Sequence, residues 1–152
     1  MNSFNIADVI SNRMLVIPLI SWAIAQVIKT AIYAIVNKKI DIERLTGDGG
    51  MPSAHSATVC SLATTAAAAY GFSSGEFAIT LVLAIIVMHD AMGVRREAGK
   101  HAKALNELLM MMSDPNEEPD LILKEFLGHT PLQVFFGALL GIFIAVVAAF
   151  FF

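Results

Sequence analysis

The sequence has little charge, and the shortage is concentrated in two long segments. Only 15% of its 152 residues are charged, whereas soluble domains average about 25%. Residues 130–152 contain no charged side chain, and residues 14–36 contain only Lys29. Each segment is long enough to cross a bilayer, which takes about 20 apolar residues. The shortage of charge therefore predicts an integral membrane protein.

Cysteine and metal-binding patterns are also scarce. The single cysteine, Cys60, excludes an internal disulfide, and its place in an apolar segment predicts a packing role. The spacing of the histidines and acidic residues matches no standard zinc pattern. The first apolar segment lacks a basic leader and a small-residue cleavage pattern, which favours a retained span over a cleaved signal. We expect no bound metal, no other cofactor and no nucleic-acid partner.

The apolar segments predict an all-α fold, a bundle of four transmembrane helices in one membrane domain of residues 1–152. The spans are expected at about residues 14–36, 55–72, 76–92 and 130–152. The second is rich in alanine, serine and threonine, which suits a helix that packs against other helices rather than lipid. Such small-residue faces are also compatible with a homo-oligomer.

Basic residues predict the orientation of this multi-pass protein in the cell membrane. They follow the first span, at Lys38, Lys39 and Arg44, and the third span, at Arg95, Arg96, Lys100 and Lys103. The positive-inside rule then puts both loops in the cytoplasm.

An amphipathic helix is expected after the third span. Apolar residues recur there at helical spacing, namely at Val94, Ala98, Ala102, Leu105, Leu109 and Met112. We expect this helix to lie on the membrane surface or to cover the loop side of the bundle.

A glycine-rich loop leads into the second span. Residues 47–56 read Gly-Asp-Gly-Gly-Met-Pro-Ser-Ala-His-Ser, and Pro52 fits the first position of a helix. The first N–H groups of a helix lack intrahelical partners and carry partial positive charge, so they attract anions such as phosphate. We therefore predict a phosphate site where the glycine-rich loop, with Gly50, meets the start of the helix, and His55 is placed to act on the bound group.

Further ionisable residues fall at the same membrane face in this topology. They are Lys29, Asp90, Arg95, Arg96 and His101. An ionisable residue within a span, such as Asp90, is functional by default, and arginine binds phosphate oxygens through a planar fork. Alternatives stay open, because Lys29 can snorkel to the headgroups, the arginines can anchor the loop, and His101 can be an ordinary surface histidine. Their convergence on one face predicts a site on the cytoplasmic side.

Several motifs together resemble one known family. They are Gly49-Gly50-Met51-Pro52-Ser53-Ala54-His55-Ser56-Ala57, Asp90-Ala91-Met92-Gly93-Val94-Arg95-Arg96 with Ala98-Gly99, Leu105-Asn106, and Gly128-His129-Thr130-Pro131. The first resembles the Pro-Ser-Gly-His signature of the phosphatidic acid phosphatase type 2 superfamily, which includes vanadium-dependent haloperoxidases. The whole set is similar to the divergent branch of that superfamily, which consists of small bacterial and plant membrane proteins.

The resemblance implies hydrolysis of a phosphate ester without a metal. It implies that Ser53 and the backbone at Ala54 bind phosphate and that His55 protonates the leaving oxygen. Lys29 is the candidate for the lysine of the first superfamily motif, although the Arg-Pro that follows in that motif is absent here.

The third superfamily motif has an arginine, five residues, a histidine, three residues and an aspartate. Arg95 and His101 meet the first spacing, which makes His101 the implied nucleophile. Leu105 stands at the aspartate position, so Asp90 is the candidate carboxylate in its place.

Three functions remain open from the sequence. A lipid phosphatase acting on a polyprenyl phosphate or diphosphate, or on a phosphatidate-like lipid, uses both the anion site and the histidines. A non-catalytic protein that binds or moves such a lipid needs the anion site but no nucleophile. A metal-dependent enzyme would use His55, His89, Asp90 or His101, and it ranks last because the spacings fit no zinc pattern.

Overall fold

The computed structural model describes residues 5–38, 50–112, 122–123 and 128–151 as an assembly of helices. These helices are α1 (Ile6–Ile10), α2 (Arg13–Asn37), α3 (Ala54–Tyr70), α4 (Gly75–Met92), α5 (Val94–Met112) and α6 (Pro131–Phe151). The all-α prediction is confirmed, and α2, α3, α4 and α6 each begin and end within two residues of a predicted span. Lys39 and Arg44 lie outside the described residues.

Three of the described helical segments are long and apolar enough to cross a membrane. They are α2, α4 with its continuation into α5, and α6. The remaining predicted span, α3, has only 17 residues and packs against α2, α4 and α6. Its alanine, serine and threonine side chains face protein on several sides, so it needs few lipid-facing apolar residues. The count of four transmembrane helices is therefore not confirmed, and α3 is the inner helix of the bundle.

The core lies where α3 meets its neighbours. Ala25 of α2 packs with Ala54 and Ala57 at the beginning of α3. Further along α3, Cys60 is buried in a cluster that includes Ala84 of α4. The packing role predicted for Cys60 is confirmed.

The backbones of α3 and α6 approach each other through two glycines. A Cβ atom added at Gly137 would overlap the carbonyl oxygen of Ser53, and one added at Gly141 would overlap that of Ala57. The glycines are four residues apart, the spacing of the Gly-x-x-x-Gly motif that brings membrane helices together. The first turns of α3 therefore rest directly on the backbone of α6.

We expect Gly141→Ala to lower the unfolding temperature of the detergent-solubilised protein. The added methyl group overpacks the contact with Ala57, which typically costs about 1–3 kcal/mol. Gly75→Ala is the matched control, because a Cβ atom at this helical position meets nothing within 4 Å. Alanine there should leave the unfolding temperature unchanged or raise it slightly. If both variants unfold at the same temperature, the α3–α6 contact is not as close as described.

The buried side of α5 differs from the predicted apolar stripe. The buried residues are Gly99, Ala102 and Asn106, whereas Val94, Leu105 and Met112 are exposed. Small side chains let α5 lie close to the protein, and the large apolar ones face outwards, as in a helix at a membrane surface. Asn106 holds a neighbouring segment, because its amide group donates to and accepts from the backbone of Leu123, both at 2.9 Å.

Candidate functional site

Ser53 caps α3 at the end of the glycine-rich loop. The helix begins at Ala54, so the prediction that Pro52 takes the first helical position is wrong by two residues. The hydroxyl oxygen of Ser53 accepts from the N–H of Ser56 at 3.3 Å, as an N-cap side chain does for the third helical residue. The N–H groups of Ala54 and His55 precede that of Ser56 in the first turn and lie at the positive end of the helix.

The cap is itself locked into the bundle. Ser53 is fully buried, its N–H donates to the carbonyl oxygen of Gln133 at 3.1 Å, and the hydroxyl of Ser56 donates to its hydroxyl oxygen at 3.1 Å. These contacts give Ser53 a structural task, which is to orient the first turn of α3. Direct binding of phosphate by Ser53 stays a prediction.

Lys29 reaches the glycine-rich loop from α2. Its side chain is only 7% exposed, and a Cβ atom at Gly50 would come within 3.0 Å of its Cγ atom. Gly50 has φ +88°, so both the backbone conformation and the lack of room favour glycine there. Lys29 is therefore buried beside the loop rather than exposed on the outer surface of α2. A cationic side chain therefore lies beside the loop that leads to α3.

His55 and His129 form a histidine pair at this end of the bundle. Their ring centroids are 5.7 Å apart and the rings are tilted by 57°. His55 is half-buried in the first turn of α3, whereas His129, in the segment before α6, is 5% exposed. The N–H of His129 donates to the carbonyl oxygen of Ala91 at 2.9 Å. The backbone of His129 is thus fixed to the end of α4.

Gly128 allows the segment that carries His129 to lie against α5. It has φ +82°, and a Cβ atom there would overlap the backbone nitrogen of Arg96. The chain then enters α6 through a capping box. The N–H of Thr130 donates to Oε1 of Gln133 at 2.9 Å, and the N–H of Gln133 donates to the hydroxyl of Thr130 at 3.4 Å. Of the two neighbours of His129 along the chain, Gly128 is therefore held by backbone packing and Thr130 by its hydrogen bonds with Gln133.

Ion pairs engage some, but not all, of the charged side chains where α4 meets α5. Nε of Arg95 donates to Oδ2 of Asp90 at 2.9 Å, and both side chains are roughly half-exposed. Lys100 pairs with Glu97 at 2.6 Å. Arg96 makes no ion pair with any residue that the structure describes. Arg96, whose backbone lies against Gly128, is therefore outside the ion pair that engages Arg95, and its role in binding phosphate stays a prediction.

The structure does not bring His101 to the histidine pair. It lies on the exposed side of α5, and α5 packs against α4 without contacting α3. The hydrogen bond from Lys100 lowers the pKa of Glu97, and the positive charges of Lys100, His101 and Arg96 lower it further. The acidic neighbour of His101 is thus Glu97 rather than Asp90. The roles of His101 as nucleophile and of Asp90 as its partner stay predictions.

His129 carried no decisive signal in the sequence. The motif that contains it contributed to the resemblance but received no role. Arg95 and His101 already fitted the arginine, five residues and histidine of the third superfamily motif. The second half of the third superfamily motif, a histidine followed four residues later by an aspartate, could have pointed to His129. Four residues after His129 stands polar Gln133, whereas four residues after His101 stands apolar Leu105.

Among the described residues, no group of three or more histidine, cysteine or acidic side chains is arranged to hold a metal ion.

All the residues of this site fall within the region that matches a known protein family. The profile of the divergent PAP2 family, the branch of the phosphatidic acid phosphatase type 2 superfamily expected from the motifs, matches residues 10–144. The chain belongs to the divergent PAP2 family. It is also 40% identical over 156 residues to YuiD of Bacillus subtilis (strain 168), described as an uncharacterized membrane protein, across 95% of this chain and 99% of the relative. No solved structure matches the chain. It is therefore a divergent PAP2 membrane protein.

Proposed function

We propose that this divergent PAP2 protein releases phosphate from a phosphorylated lipid, with His55 and His129 as the two reacting histidines. The pair itself carries the proposal, because two imidazole rings lie 5.7 Å apart at the N-terminal end of α3. Metal-independent hydrolysis through a covalent intermediate needs a nucleophile and a proton donor for the leaving oxygen. Two histidines on either side of one anion supply both.

Positive groups on separate elements at this end of the bundle support the proposal. The N–H groups of Ala54 and His55 contribute the partial charge of the helix N-terminus, about half an elementary charge. Lys29 contributes an ammonium group from α2, and Arg96 a guanidinium group from α5. Such groups, held in place before the reaction, stabilise the charge on the phosphoryl oxygens in the transition state.

The proposed reaction has two steps. One imidazole nitrogen attacks phosphorus while the bond from phosphorus to the lipid oxygen breaks, and the second histidine gives its proton to that oxygen. Water then attacks the phosphorus of the phosphohistidine and gives a proton to the second histidine, while the bond between phosphorus and nitrogen breaks. Inorganic phosphate leaves and both rings return to their starting states. We assign the attack to His129, whose backbone is fixed by Ala91 and Gly128, and the proton transfer to half-buried His55.

The setting favours a lipid substrate. Apolar helices α2, α4 and α6 hold the site at one face of a bilayer, where a polyprenyl phosphate, a polyprenyl diphosphate or a phosphatidate presents its phosphate group. The positive-inside rule makes this the cytoplasmic face.

One observation favours a second candidate function, the binding or movement of a phosphorylated lipid without hydrolysis. Gln133 is a neutral amide at the aspartate position counted from His129, and its side chain is engaged in capping α6. A site with the cationic groups but without a carboxylate to orient the nucleophile would hold the lipid phosphate unchanged.

Phosphate release separates the two functions. The purified protein in detergent is given polyprenyl phosphate, polyprenyl diphosphate and phosphatidate, and inorganic phosphate is measured. We expect release by the wild type and a loss of about 100-fold or more in kcat for His55→Ala, the usual effect of removing a general acid. His89→Ala, at an exposed histidine of α4, is the control and should retain activity. Unchanged turnover in His55→Ala rejects its role, and binding without release by the wild type supports the second function.

A further inference from the structure

The side chain of Gln26 is a buried polar group that the proposed reaction does not use. Gln26 is only 7% exposed within α2, and its Oε1 atom has no hydrogen-bond partner among the residues that the structure describes. A buried acceptor without a partner destabilises a folded protein, and an apolar side chain at this position would avoid that cost. The amide of Gln26 is therefore a candidate for contact with a ligand.

Gln26 lies at the level of the proposed anion site. The preceding residue, Ala25, packs with Ala54 in the first turn of α3. Lys29, about 4.5 Å further along the axis of α2, meets Gly50 of the loop before α3. Residues three apart are neighbours on a helix surface, so the amide of Gln26 and the ammonium group of Lys29 belong to one polar patch of α2. This patch lies next to the beginning of α3, where the proposed function puts the phosphoryl group.

A carbonyl oxygen at this place complements a phosphate group that carries a hydroxyl. Oε1 only accepts hydrogen bonds, and the sole donor on a phosphoryl group is the hydroxyl that a monoester keeps in its singly charged form. A phosphodiester, the form of the bulk membrane phospholipids, has no such hydroxyl. We infer that Gln26 binds the phosphoryl group by accepting from its hydroxyl, and that it selects lipid phosphate monoesters against phosphodiesters. The inference rests on the proposed function for the position of the phosphoryl group.

Gln26→Met tests this contact, because methionine is of similar length and its sulfur is only a weak acceptor. Gln26→Leu provides a second apolar side chain if methionine disturbs the packing. Ser21→Ala is the matched control, since Ser21 of the same helix is fully buried and its Oγ atom also has no partner within the described part of the chain. Ser21 lies about 7.5 Å from Gln26 along the axis, on the side away from Lys29.

Two probes that cannot be hydrolysed have the same hydrocarbon chain and differ in the hydroxyl. Farnesyl phosphonate keeps a hydroxyl on phosphorus in its singly charged form, whereas farnesyl sulfonate has the same shape and charge but no hydroxyl. Equilibrium binding of each probe to the purified protein in detergent is measured at about pH 6, near the second pKa of a phosphate monoester. The unfolding temperature is measured without ligand.

We expect Gln26→Met to raise the Kd for farnesyl phosphonate about tenfold, equivalent to about 1.4 kcal/mol, and to change that for farnesyl sulfonate by less than about twofold. Ser21→Ala should change neither Kd. Both variants should unfold at or above the wild-type temperature, because each loses a buried polar atom that has no partner among the described residues. Equal weakening of both probes by Gln26→Met, an unchanged Kd for the phosphonate, or no binding by the wild type overturns the inference.

Phosphate release from farnesyl phosphate, measured separately, distinguishes failure of this inference from failure of the proposed function. Selective weakening of phosphonate binding by Gln26→Met, with no phosphate release by the wild type, supports the contact and rejects the phosphatase. Phosphate release by the wild type, with unchanged phosphonate binding by Gln26→Met, does the reverse.

Discussion

His129→Asn should reduce phosphate release about 1,000-fold or more, because it removes the proposed covalent nucleophile. His101→Asn should leave phosphate release within about threefold. The ring of His129 lies 5.7 Å from that of His55. His101 is exposed on a helix that does not contact α3. Asparagine retains a polar side chain at both positions, so the comparison isolates the imidazole ring.

The controls for this comparison are structural. The unfolding temperatures of both variants should stay close to that of the wild type, and His129→Gln provides a second substitution if asparagine disturbs the buried position. The reverse pattern, with His101→Asn inactive and a folded His129 variant active, would restore the nucleophile expected from the motif spacing and contradict the histidine pair.

Gly128→Ala should reduce phosphate release about 100-fold although it changes no reacting group. Gly128 and Gly71 both have a positive φ, +82° and +86°, which side chains rarely adopt, so an alanine at either position strains the backbone. Only at Gly128 does the added Cβ atom overlap backbone, that of Arg96. Backbone cannot move aside by changing a rotamer, so the segment carrying His129 must shift. A displacement of about 1 Å in a catalytic group is enough for such a loss.

Gly71→Ala is the matched control for backbone strain. Gly71 follows α3 at the end away from the site, and a Cβ atom there meets nothing within 4 Å. This variant should lose stability but retain its specific activity. Equal activity of the two folded alanine variants would mean that the contact between Gly128 and Arg96 does not position His129.

The membrane helices could be predicted from local composition, but the place of α3 in the bundle could not. Residues 14–36 and 130–152 lack charge so completely that their helical, membrane-crossing character follows from the sequence. The small residues of α3 correctly indicated packing against helices. Its enclosure also depends on Gly137 and Gly141, which meet α3 across some 80 residues of chain, and such pairing leaves no mark in the sequence of α3 itself.

Only the part of the candidate site that is formed by local sequence could be predicted. The loop before His55 is a local feature that the sequence marks, and Lys29 stands out locally as a lone charge in its span, although its burial against the loop was one of two open alternatives. His129 lies 74 residues after His55, and the contacts of Gly128 with α5 and of Gly137 with α3 are what bring it there. Motif spacing drew attention to His101 because spacing along one segment does not show which segment packs beside α3. The ion pair that engages Arg95 rather than Arg96 depends likewise on side-chain geometry.

Identification of the phosphorylated residue tests the histidine pair most directly. Wild-type protein is mixed with farnesyl phosphate labelled at phosphorus, quenched with base during turnover, and digested for mass spectrometry. We predict an acid-labile phosphate on the peptide that contains His129, and its disappearance in His129→Asn. Label on His101, or phosphate release with no labelled histidine at any time point, would contradict the assignment.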